Sequence, residues 1–138
     1  DQHSISSNSV SSITETSNGD IWFATDRGGI CKYDSKENNF RTVSLAEGLP
    51  DDTAYKIVED KNGYLWFGTN SGLVQFDPQN FTIETYSTDN GLPSNQFNYK
   101  SALASSTGEL FFGTLEGLIS FFPERLEQNS FIPPVYIT

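Results

Sequence analysis

Along this chain the apolar residues gather into short runs, with no 3.6-residue stripe of the kind an amphipathic helix needs. Three runs, Ile21-Trp22-Phe23-Ala24, Leu65-Trp66-Phe67-Gly68 and Leu110-Phe111-Phe112-Gly113, follow one another at spacings of 44 and 45 residues. A turn precedes each: Asn18-Gly19, Asn62-Gly63 and the weaker Thr107-Gly108. Asn-Gly marks a tight hairpin, because glycine tolerates the positive φ that such a turn demands. Gly48-Leu49-Pro50 recurs as Gly91-Leu92-Pro93, and Ser4-Ile5-Ser6 takes the equivalent place at the start. The chain is therefore three repeats of about 44 residues, each predicted to form four short strands. In the second repeat these strands fall at 54–59, 64–68, 73–76 and 82–87, with Asp77-Pro78-Gln79-Asn80 as a polar turn between the last two.

The second strand of each repeat does not alternate apolar with polar residues. A sheet with one wet face would alternate, so these strands are expected to be covered on both faces. Four-stranded antiparallel sheets stacked face to face at this period are the blades of a β-propeller. The expected fold is all-β: a β-propeller fragment of three four-stranded antiparallel blades, the last one incomplete. Residues 1–47 form the first blade, 48–92 the second and 93–126 the incomplete last one. Residues 127–138, with Pro133-Pro134 ahead of an alternating Val135-Tyr136-Ile137-Thr138, read as a linker and the first strand of a following domain. Three blades are fewer than the four to eight that usually close a ring. Either further blades of a longer chain or further copies of this one are expected to complete it.

The segment Gly48 to Thr69, Gly-Leu-Pro-Asp-Asp-Thr-Ala-Tyr-Lys-Ile-Val-Glu-Asp-Lys-Asn-Gly-Tyr-Leu-Trp-Phe-Gly-Thr, resembles the two-component regulator propeller repeat. The third copy, with Gly91-Leu92-Pro93-Ser94-Asn95 and Phe97-Asn98, is similar to the form found in the last blade of such proteins. The tail 133–138 is similar to the entry into the immunoglobulin-like domain that follows the propeller there. The resemblance implies a parent that is a hybrid two-component sensor: a periplasmic propeller region, a membrane span, then a cytoplasmic histidine kinase and response-regulator portion absent from this chain. It further implies an oligosaccharide ligand, as many relatives have. The first repeat departs from the pattern, with Ala24 in place of glycine and Ser4-Ile5-Ser6 in place of Gly-Leu-Pro, and these changes read as drift between blades.

Charge narrows the partners. A formal net charge of −10 over 138 residues argues against nucleic acid and against direct contact with an anionic membrane. The single Cys31 excludes an internal disulfide and any multi-cysteine zinc site, and its apolar surroundings read as core. The single His3 has no neighbours that suggest a triad. No catalytic residue, metal or cofactor is expected.

Strand order places the candidate binding residues. The loops entering each blade and those between its second and third strands share one face, which carries 47–52, 89–95, Asp26-Arg27-Gly28, Asn70-Ser71 and Leu115-Glu116. Binding residues favour loops on a rigid scaffold, so Arg27, Asn70, Asn95 and Glu116 are the candidate ligand contacts on this face. Leu49 and Leu92 read as plugs between blades, and Trp22 and Trp66 as core rather than sugar platforms. Two other functions stay open. One is a glycosidase or lyase, suggested by the faint likeness of Asp60-x-x-Gly63-x-x-Trp66 to an aspartate-box turn and requiring two carboxylates about 5–10 Å apart. The other is a structural module that mediates dimerisation.

Overall fold

The computed structural model describes residues 9–126 and the strand at 136–137. Among the described residues, twelve strands form three antiparallel sheets. β1 (Val10–Glu15), β2 (Ile21–Thr25), β3 (Ile30–Asp34) and β4 (Asn39–Val43) make the first. β5 (Val58–Glu59), β6 (Leu65–Thr69), β7 (Gly72–Asp77) and β8 (Thr82–Tyr86) make the second. β9 (Phe97–Ala104), β10 (Leu110–Thr114), β11 (Gly117–Phe121) and β12 (Tyr136–Ile137) make the third. In each, chain order is spatial order, as in a propeller blade.

The third blade thus corrects the expectation that it lacks a fourth strand. Leu118 pairs with Ile137 and Ile119 with Tyr136. The edge of β11 offers backbone groups for pairing, and Tyr136–Ile137 supplies them with partners.

Stacking of the blades explains the non-alternating strands, though only in the middle. All five residues of β6 are buried. Leu65 and Phe67 face the first blade, in a core with Trp22, Ile30, Val43 and Ile57. Trp66 faces the third, with Leu110, Phe112, Ile119 and Phe121. β2 and β10 each have one face against β6's sheet, while Ile21, Phe23 and Phe111 on their far sides are only half-buried. The expectation of two covered faces therefore holds for the sheet that has a neighbour on each side.

The first strands lie side by side across the blade interfaces. Each carries a bulge: β1 between Val10 and Ser12, β9 opposite Phe112 to Thr114, and the second blade between the Ala54–Thr69 bridge and the Val58–Trp66 pair. That last bulge is why β5 is shorter than 54–59. A bulge leaves backbone groups unpaired, and the neighbouring blade takes them up. Ser11 Oγ donates to the Ala54 carbonyl at 2.7 Å and Thr14 Oγ1 to the Ile57 carbonyl at 2.9 Å.

The Gly-Leu-Pro crossings are structural. Single 3₁₀ turns at Leu45–Glu47 and Thr88–Asn90 end at Gly48 and Gly91, whose φ of 112° and 97° only glycine adopts readily. Leu49 and Leu92, each 4% exposed, then drop into the two inter-blade cores.

Candidate functional site

The loops expected to share a face do so, tied together by hydrogen bonds between them. Gly29 N–H donates to the Asp52 carbonyl at 2.8 Å, Gly72 N–H to that of Asn95 at 2.7 Å, and Leu115 N–H to that of Gln96 at 3.1 Å. Thr53 Oγ1 donates to Asp26 at 3.1 Å, and the Tyr55 hydroxyl to Asn70 Oδ1 at 2.6 Å. Burial pushes the Tyr55 phenol above its ordinary pKa. The bond to Asn70 pulls it back, and the charges of Asp51 and Asp26 add to the rise. Tyr55 stays a neutral donor that orients Asn70.

Of the four candidates, Arg27 and Glu116 are exposed at loop tips, Arg27 with a left-handed φ of 75°. Asn70 is exposed and held by Tyr55. Asn95 is half-buried and works within the scaffold: its Oδ1 accepts the Thr88 N–H at 2.7 Å while its backbone carbonyl accepts Gly72. The sequence shows no sign of these internal partners, because they span 7 to 23 residues.

The opposite face carries the hairpin turns, and here the first two blades enclose a cleft of about 550 Å³. Its walls include Asp20, Lys32, Glu59, Lys61, Asp77 and Asn80, and Trp22 contributes to its lining. Lys32 Nζ and Asp20 sit 3.3 Å apart. Glu59 crosses between blades to accept the Ser17 N–H at 2.8 Å and its hydroxyl at 2.9 Å.

The two tryptophans differ on this face. Asp60, 7% exposed, accepts the backbone N–H of Asn62 and Tyr64 through Oδ1, and the Trp66 indole N–H through Oδ2 at 2.8 Å. The likeness to an aspartate box is therefore a turn clamp, with its carboxylate committed to the fold. In the first blade the same offset from Trp22 holds Thr16, which donates its hydroxyl to Asn18 Oδ1 at 2.5 Å. Trp22 Nε1, fully buried, has no hydrogen-bond partner among the described residues. Lining the repeats up by their tryptophans, Thr16 under Asp60, is the signal that finds this position.

No group of three His, Cys, Asp or Glu side chains among the described residues is placed to hold a metal ion. No helix among them is long and apolar enough to cross a membrane.

Radiating four-stranded sheets, bound by their first strands and bearing polar loops on one face, define consecutive blades of a β-propeller. Residues 4–27 and 48–71, in the first and second repeats, match the family model of the two component regulator propeller. The extracellular domain of BT3049 from B. thetaiotaomicron, assigned to the hybrid two component systems, is similar with a TM-score of 0.76 and 30% identity, over 84% of this chain and 16% of that one. The extracellular domain of BT4673 from the same organism, assigned to the one component systems, gives 0.73 and 22% over 86% and 17%. A catalytically inactive virginiamycin B lyase from Staphylococcus aureus gives 0.66 and 22% over 83% and 38%. The last two likenesses speak to the fold alone. Among curated proteins, none matches the chain.

Proposed function

We propose that this chain is a non-catalytic segment of the periplasmic sensing region of a hybrid two-component system, where it contributes to oligosaccharide recognition and relays binding through its stacked blades. The observation that carries this reading is the repeat match, joined to the 30% identity with an extracellular domain of that class. The ligand is read on the loop face by Arg27, Asn70 and Glu116, whose exposure and neutral-to-charged mix suit hydroxyl groups. Asn95 serves there as a positioning residue. The kinase portion lies in another part of the parent. The ring is completed by its remaining blades or by self-association.

Isothermal calorimetry of the full chain against a panel of oligosaccharides tests the reading. Saturable binding weakened by Arg27→Ala and Glu116→Ala is expected. Absence of binding across a broad panel, or turnover of a glycan, overturns it.

A further inference from the structure

The connections between third and fourth strands are built alike in the first two blades. In the first, Asp34 Oδ1 accepts the N–H of Lys36 and Glu37 at 3.0 and 3.2 Å. In the second, Asp77 Oδ1 accepts the N–H of Gln79 and Asn80 at 2.9 and 3.4 Å. Asn38 and Phe81 hold the same place, one residue before the fourth strand, with φ of 51° and 55°. Asparagine tolerates this left-handed backbone, whereas a bulky side chain there is an outlier. The turn therefore works with asparagine, and Phe81 sits in a disfavoured conformation that the turn itself does not require. Such strain persists only where the surrounding contacts over-determine it.

Those contacts cross the first blade interface. The Phe81 ring is half-buried against the first core, 6.4 Å from the Trp22 ring of the first blade and edge-on to Phe76 at 5.1 Å. The Arg41 guanidinium, on β4 of the first blade, lies over the Phe81 ring at 3.6 Å from its centroid. Arg41 stands opposite Lys32 in the β3–β4 ladder, a like-charge pairing that works against the sheet. Each cation has its own partner: Lys32 takes Asp20, and Arg41 takes the aromatic face. At the second interface the position of Arg41 is Glu84, opposite Gln75. A carboxylate is not attracted to the negative face of a ring, so the contact cannot repeat there.

We propose that Arg41 and Phe81 form a clasp that fastens the first blade to the second and makes the pair one rigid unit. Among the described residues the second interface has no such device. The clasp needs no ligand and stands whether or not an oligosaccharide is read on the loop face.

The test uses the full chain with Arg41→Met, Phe81→Leu and the double variant. Arg41 is exposed and leucine keeps the apolar cover, so these variants are expected to fold. Arg41→Met should lower the thermal midpoint by about 2–4 °C, the size of an exposed cation–π contact, and should cost nothing further in Phe81→Leu. Equal losses in both backgrounds overturn the clasp. Phe81→Asn frees the backbone and removes the ring, and is expected to lower the midpoint too; an unchanged or raised midpoint also overturns the proposal. A second readout separates a clasp from general stabilisation. The N–H groups of Gly29 and Ala54 bond across the first interface, to Asp52 and Thr25, and that of Gly72 bonds across the second, to Asn95. Amide hydrogen exchange followed by NMR should speed up about threefold at Gly29 and Ala54 in Arg41→Met, with Gly72 unchanged. Equal acceleration at all three amides would assign Arg41 to overall stability and sink the rigid pair.

Discussion

At the scale of single residues, the repeats differ where their neighbours differ. Ala24 in place of glycine is one such case, and the packing replaces the reading of drift. A Cβ on Gly68 would come within 2.4 Å of the Phe97 side chain, so the large Phe97 of the third blade requires glycine beneath it. The position of Phe97 in the second blade is Ala54, which bridges to Thr69 as Phe97 pairs with Thr114. Ala54 and Ala24 share the first core, and a small residue above permits a methyl below. Gly68→Ala is expected to destabilise the chain by about 1–3 kcal/mol through overpacking. In the Phe97→Ala background the same change should cost much less, a coupling that chemical denaturation of the four variants in a double-mutant cycle measures. Asp60 is a second case. Asp60→Ala strands the buried Trp66 indole and two turn N–H groups, and should cost about 2–4 kcal/mol, since hydrogen bonds to charged groups are among the stronger ones. Adding Trp66→Phe should recover part of that loss, and urea midpoints would show it.

Two tyrosines give the chain an alkaline signature. Burial raises the Tyr86 pKa, with the Glu84 charge adding to it, and burial leads the rise at Tyr55 as well. An unfolded tyrosine releases its proton near pH 10, while these two hold theirs longer. Above about pH 10 the unfolded chain therefore binds fewer protons than the folded one, and stability falls as pH rises until the folded pKa values are passed. Below the unfolded pKa this contribution is fully present. Denaturation midpoints from about pH 9 to about pH 11 should decline more steeply in the parent chain than in Tyr55→Phe or Tyr86→Phe.

At the scale of elements, most of the architecture was legible because it is repeated. Asn-Gly turns fixed the hairpins, and the unbroken apolar second strands implied stacking; the middle sheet shows it on both faces. Two features of the elements were not legible. The bulge in the second blade's first strand is bridged by Ser11 and Thr14 of the preceding blade, partners 43 residues away. The strand at Tyr136–Ile137 carries no turn signal tying it to β11, since the intervening segment is long and proline-containing. On the candidate site, strand order placed the loop face from topology alone. The internal commitment of Asn95 and the cleft on the opposite face arise from contacts between blades, and no local pattern encodes those.

At the scale of the whole molecule, the two end faces decide its behaviour. Ile13 is 65% exposed on the first blade, pointing opposite to Ser12 and Thr14, and pairs with Phe23, whose ring meets Phe40 at 5.7 Å. Leu103, 55% exposed, and Leu118 share the outer face of the third blade with Phe111. These two faces are not alike. The outer face of the third blade corresponds to the side each blade turns toward its successor, and the outer face of the first to the side turned toward a predecessor. They are complementary in the way the two internal interfaces are, so copies are expected to associate head to tail, a heterologous contact that either closes or propagates. Two copies would bring six blades together, within the usual range for a closed ring. Sedimentation velocity over a concentration series is expected to show association of the isolated chain, and Ile13→Glu or Leu103→Glu alone should abolish it. Mixing the two single variants should restore a complex, because each then contributes one intact face to the same interface. Contact between like faces would give a different pattern: one variant would be silent, and the mixture would gain nothing.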